Sequence, residues 1–382
     1  MRIFLISALV LCVTLPIFAG GGKDKNPAGA GPFPGKIAII TNTVDQNGEE
    51  FRSAEQLTAK YGSKIVHVTW PADFMSEQEQ MVLTLAGLAA DKDIKALIIN
   101  QAVPGSNSAV DSFLETRKDV FIVYCSPQEN PADVSSRASL VMMPNELAMG
   151  EPMVQQARKE GAKVFVHYSF PRHMSQVTLS SRRDRIRQEC ARFGIQFVDA
   201  PAPDPIGDAG AADSRNFILE DVPRMIARYG KDTAFFATNC CMQAPLIRAV
   251  VDGGAIFLQP CCPSPFHGFP SALGLESIGL DLTCMIAETR KVLAARNELG
   301  RISTWPIPGA MVYTNAGAEY AIRWIKGQVP RAGIDDSILA ECANNYIKEV
   351  TGENLSVHWS SYEENGKTFN NFKALLIDYL TY

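Results

Sequence analysis

Two adjacent cysteine pairs, Cys240-Cys241 and Cys261-Cys262, are the first residues in this chain whose type and spacing point to chemistry. Each pair follows a short apolar run, 234–237 and 255–258, so the two pairs sit at equivalent ends of neighbouring strands. Three readings are open. A disulfide between the pairs would pin this part of the chain. Buried free thiols would pack as small apolar residues. A metal site is the third, but the spacing is not the Cys-x-x-Cys of zinc ligands and adjacent cysteines chelate one ion awkwardly. No metal ligand and no cofactor is therefore assigned.

A second set of polar residues ends one apolar run after another: Asn42 and Thr43, then Asn100 and Gln101, then Cys125 and Ser126. Farther on come Asn145, Tyr168, Ser169, Arg172, His173, Asn239, Gln243 and Ser264. Asparagine and glutamine offer both donors and acceptors, which suits a neutral polar ligand. Tyr168, Phe170 and Trp305 can stack on a ring or a sugar face. Arg172-His173 can pair an anionic group or belong to an ordinary solvated loop. Cys125 with His173 or His167 has the types of a nucleophile and its base. No third, orienting group is identifiable, so binding is expected rather than catalysis. The arginines at 182, 183, 185, 187 and 192 read as the solvated face of a helix whose Ile186, Cys190 and Phe193 point inward, with Ser181 and Asp184 as its capping box.

The elements that must position these residues alternate. Continuous apolar runs at 37–40, 65–68, 96–99, 120–124 and 140–143 read as strands covered on both faces. Helical spacing lies between them, as in Phe51, Ala54, Leu57 and Tyr61, stopped by Gly62. The pattern restarts after residue 150. Strands are expected at 164–168, 195–198, 234–237 and 255–258, with helices at 152–160, 217–229 and 244–251. Short connections between alternating strands and helices imply parallel strands and right-handed crossovers. Open sheets of that kind bind ligands at the carboxyl ends of their strands. Beyond residue 280 helices are expected at 280–297, 310–327 and 337–350, with a turn at Glu364-Asn365-Gly366-Lys367.

The chain has 382 residues, of which 46% are hydrophobic and 20% charged, enough for two domains. Its net charge of −5 argues against nucleic acid as a partner. Residues 1–19 run from Met1-Arg2 through an almost wholly apolar stretch to Ala19, the layout of a cleaved signal peptide. An uncleaved membrane anchor is the alternative. Residues 20–35, rich in Gly, Pro and Lys, read as a flexible linker and carry no dinucleotide fingerprint.

Two doubly wound α/β lobes joined by a hinge, behind a signal peptide, resemble the type 1 periplasmic solute-binding proteins. The crossover carries the likeness: Val141-Met142-Met143-Pro144-Asn145, a helix from Gly150 to Lys159, then Gly161-Ala162-Lys163-Val164-Phe165-Val166. The segment from Thr238 to Gly274 further resembles an uncharacterised bacterial family of that fold, domain of unknown function 3798. The resemblance implies a first lobe of residues 36–145 plus about 285–330 and a second lobe of 146–284, with 331–382 unassigned. The Asp usual at the end of the crossover strand is Asn145 here, which departs from a sugar-type contact. The resemblance also implies a monomeric, extracytoplasmic protein that captures a small polar molecule between its lobes for an ABC-type permease or a sensory receptor. The alternative is a secreted hydrolase or transferase using the same cleft. A transcriptional regulator shares the fold but would need a DNA-binding helix pair before Lys36, where the signal and linker fall.

Overall fold

The computed structural model describes residues 32–44, 46–205, 210–364 and 366–382. The expected signal segment 1–19 and the expected linker up to residue 31 lie outside the described residues. Among the described residues no helix is long and apolar enough to cross a membrane.

The first half alternates as expected: β1 (Lys36–Thr41), α1 (Gly48–Tyr61), β2 (Ile65–Thr69), α2 (Gln78–Ala90), β3 (Ile94–Ile99), α3 (Ser106–Thr116), β4 (Phe121–Cys125), α4 (Pro131–Arg137) and β5 (Leu140–Pro144). β1, β3 and β4 are buried along almost their whole length. Helices cover both faces, so these strands are apolar at every position rather than at alternate ones. Local chemistry sets the helix starts. Asn47 accepts the Glu50 N–H to cap α1. Asn130 caps α4 with Pro131 behind it, at a position where proline sacrifices no helical hydrogen bond.

The second half holds α5 (Gly150–Lys159), β6 (Val164–Ser169), α6 (Pro171–Met174), α7 (Val177–Phe193), β7 (Gln196–Pro201), α8 (Gly210–Tyr229), β8 (Thr233–Ala237), α9 (Gln243–Gly253), β9 (Ile256–Phe257), α10 (Phe269–Leu273) and α11 (Leu282–Ala295). Then come β10 (Ser303–Thr304), α12 (Gly309–Ile325), α13 (Asp336–Thr351), β11 (Val357–Glu364), β12 (Lys367–Ile377) and β13 (Leu380–Thr381). α7 starts a turn earlier than expected, so Ser181 lies inside the helix and makes no capping box.

Two main sheets result. The larger has the order β11-β12-β5-β4-β3-β1-β2 and the smaller β7-β6-β8-β9. Within these two sheets all pairings are parallel except the β11–β12 hairpin, and β10 and β13 form a separate antiparallel pair. The fold is thus α/β with two doubly wound sheets, the periplasmic-binding-protein-like architecture. Chain order reverses between β1 and β3 in one sheet and between β6 and β8 in the other, which are the places where such sheets open a crevice.

Ile302 bridges Phe257 beside β9, and α12 then packs on β3, β4 and β5. The chain returns to the first sheet after Ile302. α12 can lie close because Gly317 presents no side chain: a Cβ there would stand 3.2 Å from Met142 and 3.3 Å from Val123. The C-terminal segment belongs to both halves. β12 pairs β5 in parallel, whereas β13 pairs β10. The chain passes from one sheet to the other at Asp378–Tyr379, between β12 and β13.

Candidate functional site

A cavity of about 320 Å³ opens between the two sheets. The first-sheet side contributes Asn47 and Glu49 from the start of α1, Gln101 after β3 and Ser126 after β4. The β5–α5 crossover adds Pro144, Glu146 and Met149. The opposite side is the loop after β9, with Cys262, Pro263, Ser264 and His267. Trp305 and the first turns of α12, including Tyr313, close the back. Ser264 spans the gap: its Oγ donates to Glu49 Oε1 at 3.1 Å and accepts the Phe266 N–H at 3.0 Å.

Gln101, Ser126, Ser264 and Trp305 thus line the cavity. The other polar residues singled out in the sequence are held in structural contacts. Asn42 is buried and its Nδ2 donates to Gln101 Oε1 at 3.0 Å, so it orients a cavity residue from behind. Thr43 donates to Gln46 at 3.1 Å. Asn100 Oδ1 accepts from Thr314 at 2.8 Å, which ties β3 to α12. Cys125 is buried on β4. Asn145 donates to Ser360 and caps Ala148, and its successor Glu146 faces the cavity instead.

On the second sheet Tyr168 donates to Asp221 at 2.9 Å. Ser169 and His173 both meet Thr238, at 2.9 and 3.0 Å. Asn239 caps Cys241, and Gln243 donates to the carbonyls of Ala237 and Asn239. Arg172 makes a bidentate pair with Asp204, both bonds 2.9 Å. A carboxylate already occupies the fork that would have met an anion. The Cys125–histidine pairing does not form either: Cys125 sits on the first sheet, while His167 engages Asp199 and His173 engages Thr238 on the second.

Gln101 (φ 36°) and Ser126 (φ 46°) both adopt left-handed backbone at the ends of adjacent strands. Non-glycine residues hold that conformation at a cost of about 1 kcal/mol or more, and such strain clusters at binding sites. Ser126→Gly should therefore leave stability unchanged or raise it by about 1 kcal/mol, while weakening whatever ligand the Ser126 side chain meets. Paired urea-unfolding and binding titrations would read both. A clear loss of stability would show that the backbone there is unstrained.

Sequence reasoning missed Glu49, Glu146, His267 and Tyr313. They come from helix starts and loop returns whose direction the local sequence does not encode. Burial raises the Glu49 carboxyl above its ordinary value, against the lowering influence of the Ser264 hydroxyl and of His267. Behind it, Glu50 is fully buried and accepts the Asn42 N–H at 2.7 Å. Desolvation, with a smaller push from Glu49, carries its pKa up to about 8.

The cysteines resolve into different environments. The Sγ atoms of Cys240 and Cys261 lie 3.5 Å apart, well beyond the roughly 2.05 Å of a disulfide bond. All eight described cysteines are free thiols in this structure. Cys262 and His267 complete a cluster with this pair, all four ligand atoms lying within 4.8 Å of one another. Cys241 stands apart and packs against the core. Contacts with Cys261, Cys262 and His267, in that order, hold the Cys240 thiol far below its ordinary range. Burial works to lower the His267 pKa, but hydrogen bonds to Cys240 and Cys262 outweigh it and push it up to about 10.

The chain is similar to known proteins over most of its length. Two uncharacterised proteins of Treponema pallidum (strain Nichols) are 31% and 29% identical to it, over 57% and 53% of this chain and 100% and 97% of their own. A solved structure described as a candidate transcriptional regulator from Clostridium difficile 630 superposes with a TM-score of 0.82 at 19% identity, covering 92% of this chain and 99% of its own. A sugar ABC transporter structure from Actinomyces odontolyticus ATCC 17982 gives a TM-score of 0.50 at 10% identity, over 77% and 84%. At these identities the likeness carries the fold alone. The family described as protein of unknown function (DUF3798) matches residues 35–303, and the chain belongs to that family.

Proposed function

We propose that this protein captures a small polar molecule in the cavity between its lobes, outside the cytoplasmic membrane, and presents it to an ABC-type permease or a sensory receptor. The observation that carries this reading is the composition of the cavity wall. Both sheets contribute to it through strand-end loops, and its polar groups are Asn47, Gln101, Ser126 and Ser264 with the carboxyl groups of Glu49 and Glu146. Among the described residues no Lys or Arg lines it, and His267 is the one basic side chain. Such a wall of amide, hydroxyl and carboxyl groups suits a small polar ligand rich in hydroxyl or amino groups. Trp305 and Tyr313 supply flat apolar surface at the back. A volume of about 320 Å³ is at the small end for ligand pockets and fits one sugar ring, nucleoside base or amino acid. Export by residues 1–19 and a monomeric state belong to the same proposal, as does capture without chemical conversion.

A thermal-shift screen of the purified protein against sugars, polyols, amino acids, polyamines and nucleosides tests it. A ligand at 100 times its Kd should add about 2.7 kcal/mol of stability, and Gln101→Leu should reduce that gain. Recovery of the ligand unchanged supports capture; its consumption would make the protein an enzyme. Failure of every one of these classes to raise the melting temperature would overturn ligand capture.

A further inference from the structure

We propose that Cys240, Cys261, Cys262 and His267 form a binding site for one thiophilic divalent ion of the Zn²⁺ class, built into the second-lobe wall of the cleft. The site assembles from two adjacent strand ends. β8 and β9 are neighbours in the smaller sheet, so the turn 240–242 after one strand meets residues 261–262 after the other. The loop then doubles back. The Phe266 N–H bonds to Ser264 Oγ and the His267 N–H to the Ser264 carbonyl. Gly268 follows at φ 85°, where a Cβ would stand 2.9 Å from Gln243 Cβ. Only glycine allows the return strand to press so closely on the start of α9, and that approach is what delivers His267 to the three thiols.

The donor set and its spacing match a tetrahedral ion. Zinc–sulfur bonds of about 2.3 Å and zinc–nitrogen bonds of about 2.0 Å place ligand atoms roughly 3.5–3.8 Å apart along tetrahedral edges. The Cys240–Cys261 sulfur separation is 3.5 Å, and all four ligand atoms fall within 4.8 Å of one another. Small side-chain adjustments close the remainder. Three sulfurs and one imidazole select a soft or borderline ion over Mg²⁺ or Ca²⁺.

The second observation concerns His267. Its Nδ1 lies 3.0 Å from the carbonyl oxygen of Cys262. A backbone carbonyl that takes one ring N–H fixes the tautomer and orients the other nitrogen, as is usual around ligating histidines. Nε2 is then the nitrogen left for the thiols. The adjacency that makes a chelate of Cys261 and Cys262 awkward is relieved by Cys240 and His267, which arrive from different directions. Cys241, the other half of its pair, takes no part. Binding would release thiol protons to solvent and fix the loop that carries Ser264 into the cleft.

The test is a Co²⁺ titration of the reduced, purified protein under anaerobic conditions. The expected result is one ion per chain, with the strong visible bands of tetrahedral cobalt and a near-ultraviolet thiolate-to-metal charge-transfer band, all displaced by Zn²⁺. Cys240→Ser, Cys262→Ser and His267→Ala should each weaken binding by about tenfold or more, whereas Cys241→Ser should leave it unchanged. Circular dichroism would confirm that each variant is folded, and the wild-type titration stands whatever the variants do. No charge-transfer band from fully reduced protein overturns the proposal, and so does equal damage from Cys241→Ser. A Cys240–Cys261 disulfide that persists in protein exported with zinc present overturns it in favour of a redox staple. None of these outcomes depends on identifying the cleft ligand, so the proposal can fail while ligand capture stands.

Discussion

Glu146→Ala is expected to destabilise the protein by about 3–5 kcal/mol, and Arg182→Met by less than half as much. The asymmetry follows from where each charge sits. Arg182 projects from α7, is 1% exposed, and pairs Glu146, which is 32% exposed. Its guanidinium lies 5.2 Å over the Phe236 ring, and its Nε is buried without a partner. Removing the carboxylate strands a guanidinium that water cannot reach. Removing the guanidinium leaves a carboxylate that water can reach, and methionine keeps most of the packing on Phe236. The Glu146→Ala/Arg182→Met double variant should therefore be more stable than Glu146→Ala alone. Urea-unfolding midpoints of the four proteins test this. Equal losses from the two single variants, or no recovery in the double, would show that the pair is not what holds the crossover. The same pair fixes Glu146 at the cavity, so a binding defect in Glu146→Ala must be read beside its stability.

How far this pair could be read from sequence marks the limit of local reasoning. The arginine-rich helix reads as a solvated face, and four of its five arginines do pair with exposed or half-buried acids such as Asp184, Asp199 and Glu151. Arg182 differs because the crossover turns Glu146 toward it, a contact between residues 36 apart in sequence. The strands were legible because burial on both faces demands unbroken apolar runs, which 37–40, 96–99 and 120–124 supply. Strand ends were legible for the same reason, but not which way their side chains point. Asn42 braces Gln101 from behind and Asn100 serves the backbone and α12, while Gln101, the residue after Asn100, reaches the cavity. In the tail the helix at 336–351 and the hairpin turn at 364–367 were legible, but not the sheet the tail joins. β12 pairs β5 across more than 200 residues of chain, and nothing local in 367–377 says which sheet it joins. His267 was hidden likewise: its role depends on a loop reversal at Gly268, not on spacing from the cysteines.

Wild-type stability should fall as pH rises from about 4.5 to about 8, and Glu50→Gln should remove a large part of that fall. Glu50 sits in the first turn of α1, fully buried, with Oε1 on the Asn42 N–H and Oε2 without a partner. Desolvation by burial raises its pKa from 4.5 to about 8, and the neighbouring Glu49 adds to the rise. Between those two values the folded chain keeps a proton that the unfolded chain has released. The native state binds more protons, so stability drops with increasing pH, by about 1.4 kcal/mol for each unit. Below 4.5 both states are protonated and the contribution is constant; above 8 both are ionised and the whole loss, about 5 kcal/mol, has been incurred. Glutamine keeps the acceptor for Asn42 and cannot ionise. Glu160, raised to about 7 by burial, titrates in the same direction in both proteins, so the difference between wild type and Glu50→Gln reads Glu50 together with its coupling to Glu49. That difference, measured by urea unfolding from pH 4 to pH 9, should be flat at first and then slope in favour of the variant up to about pH 8. Parallel curves over the whole range would mean that Glu50 ionises freely in the folded protein, and that α1 opens to water beside the cleft.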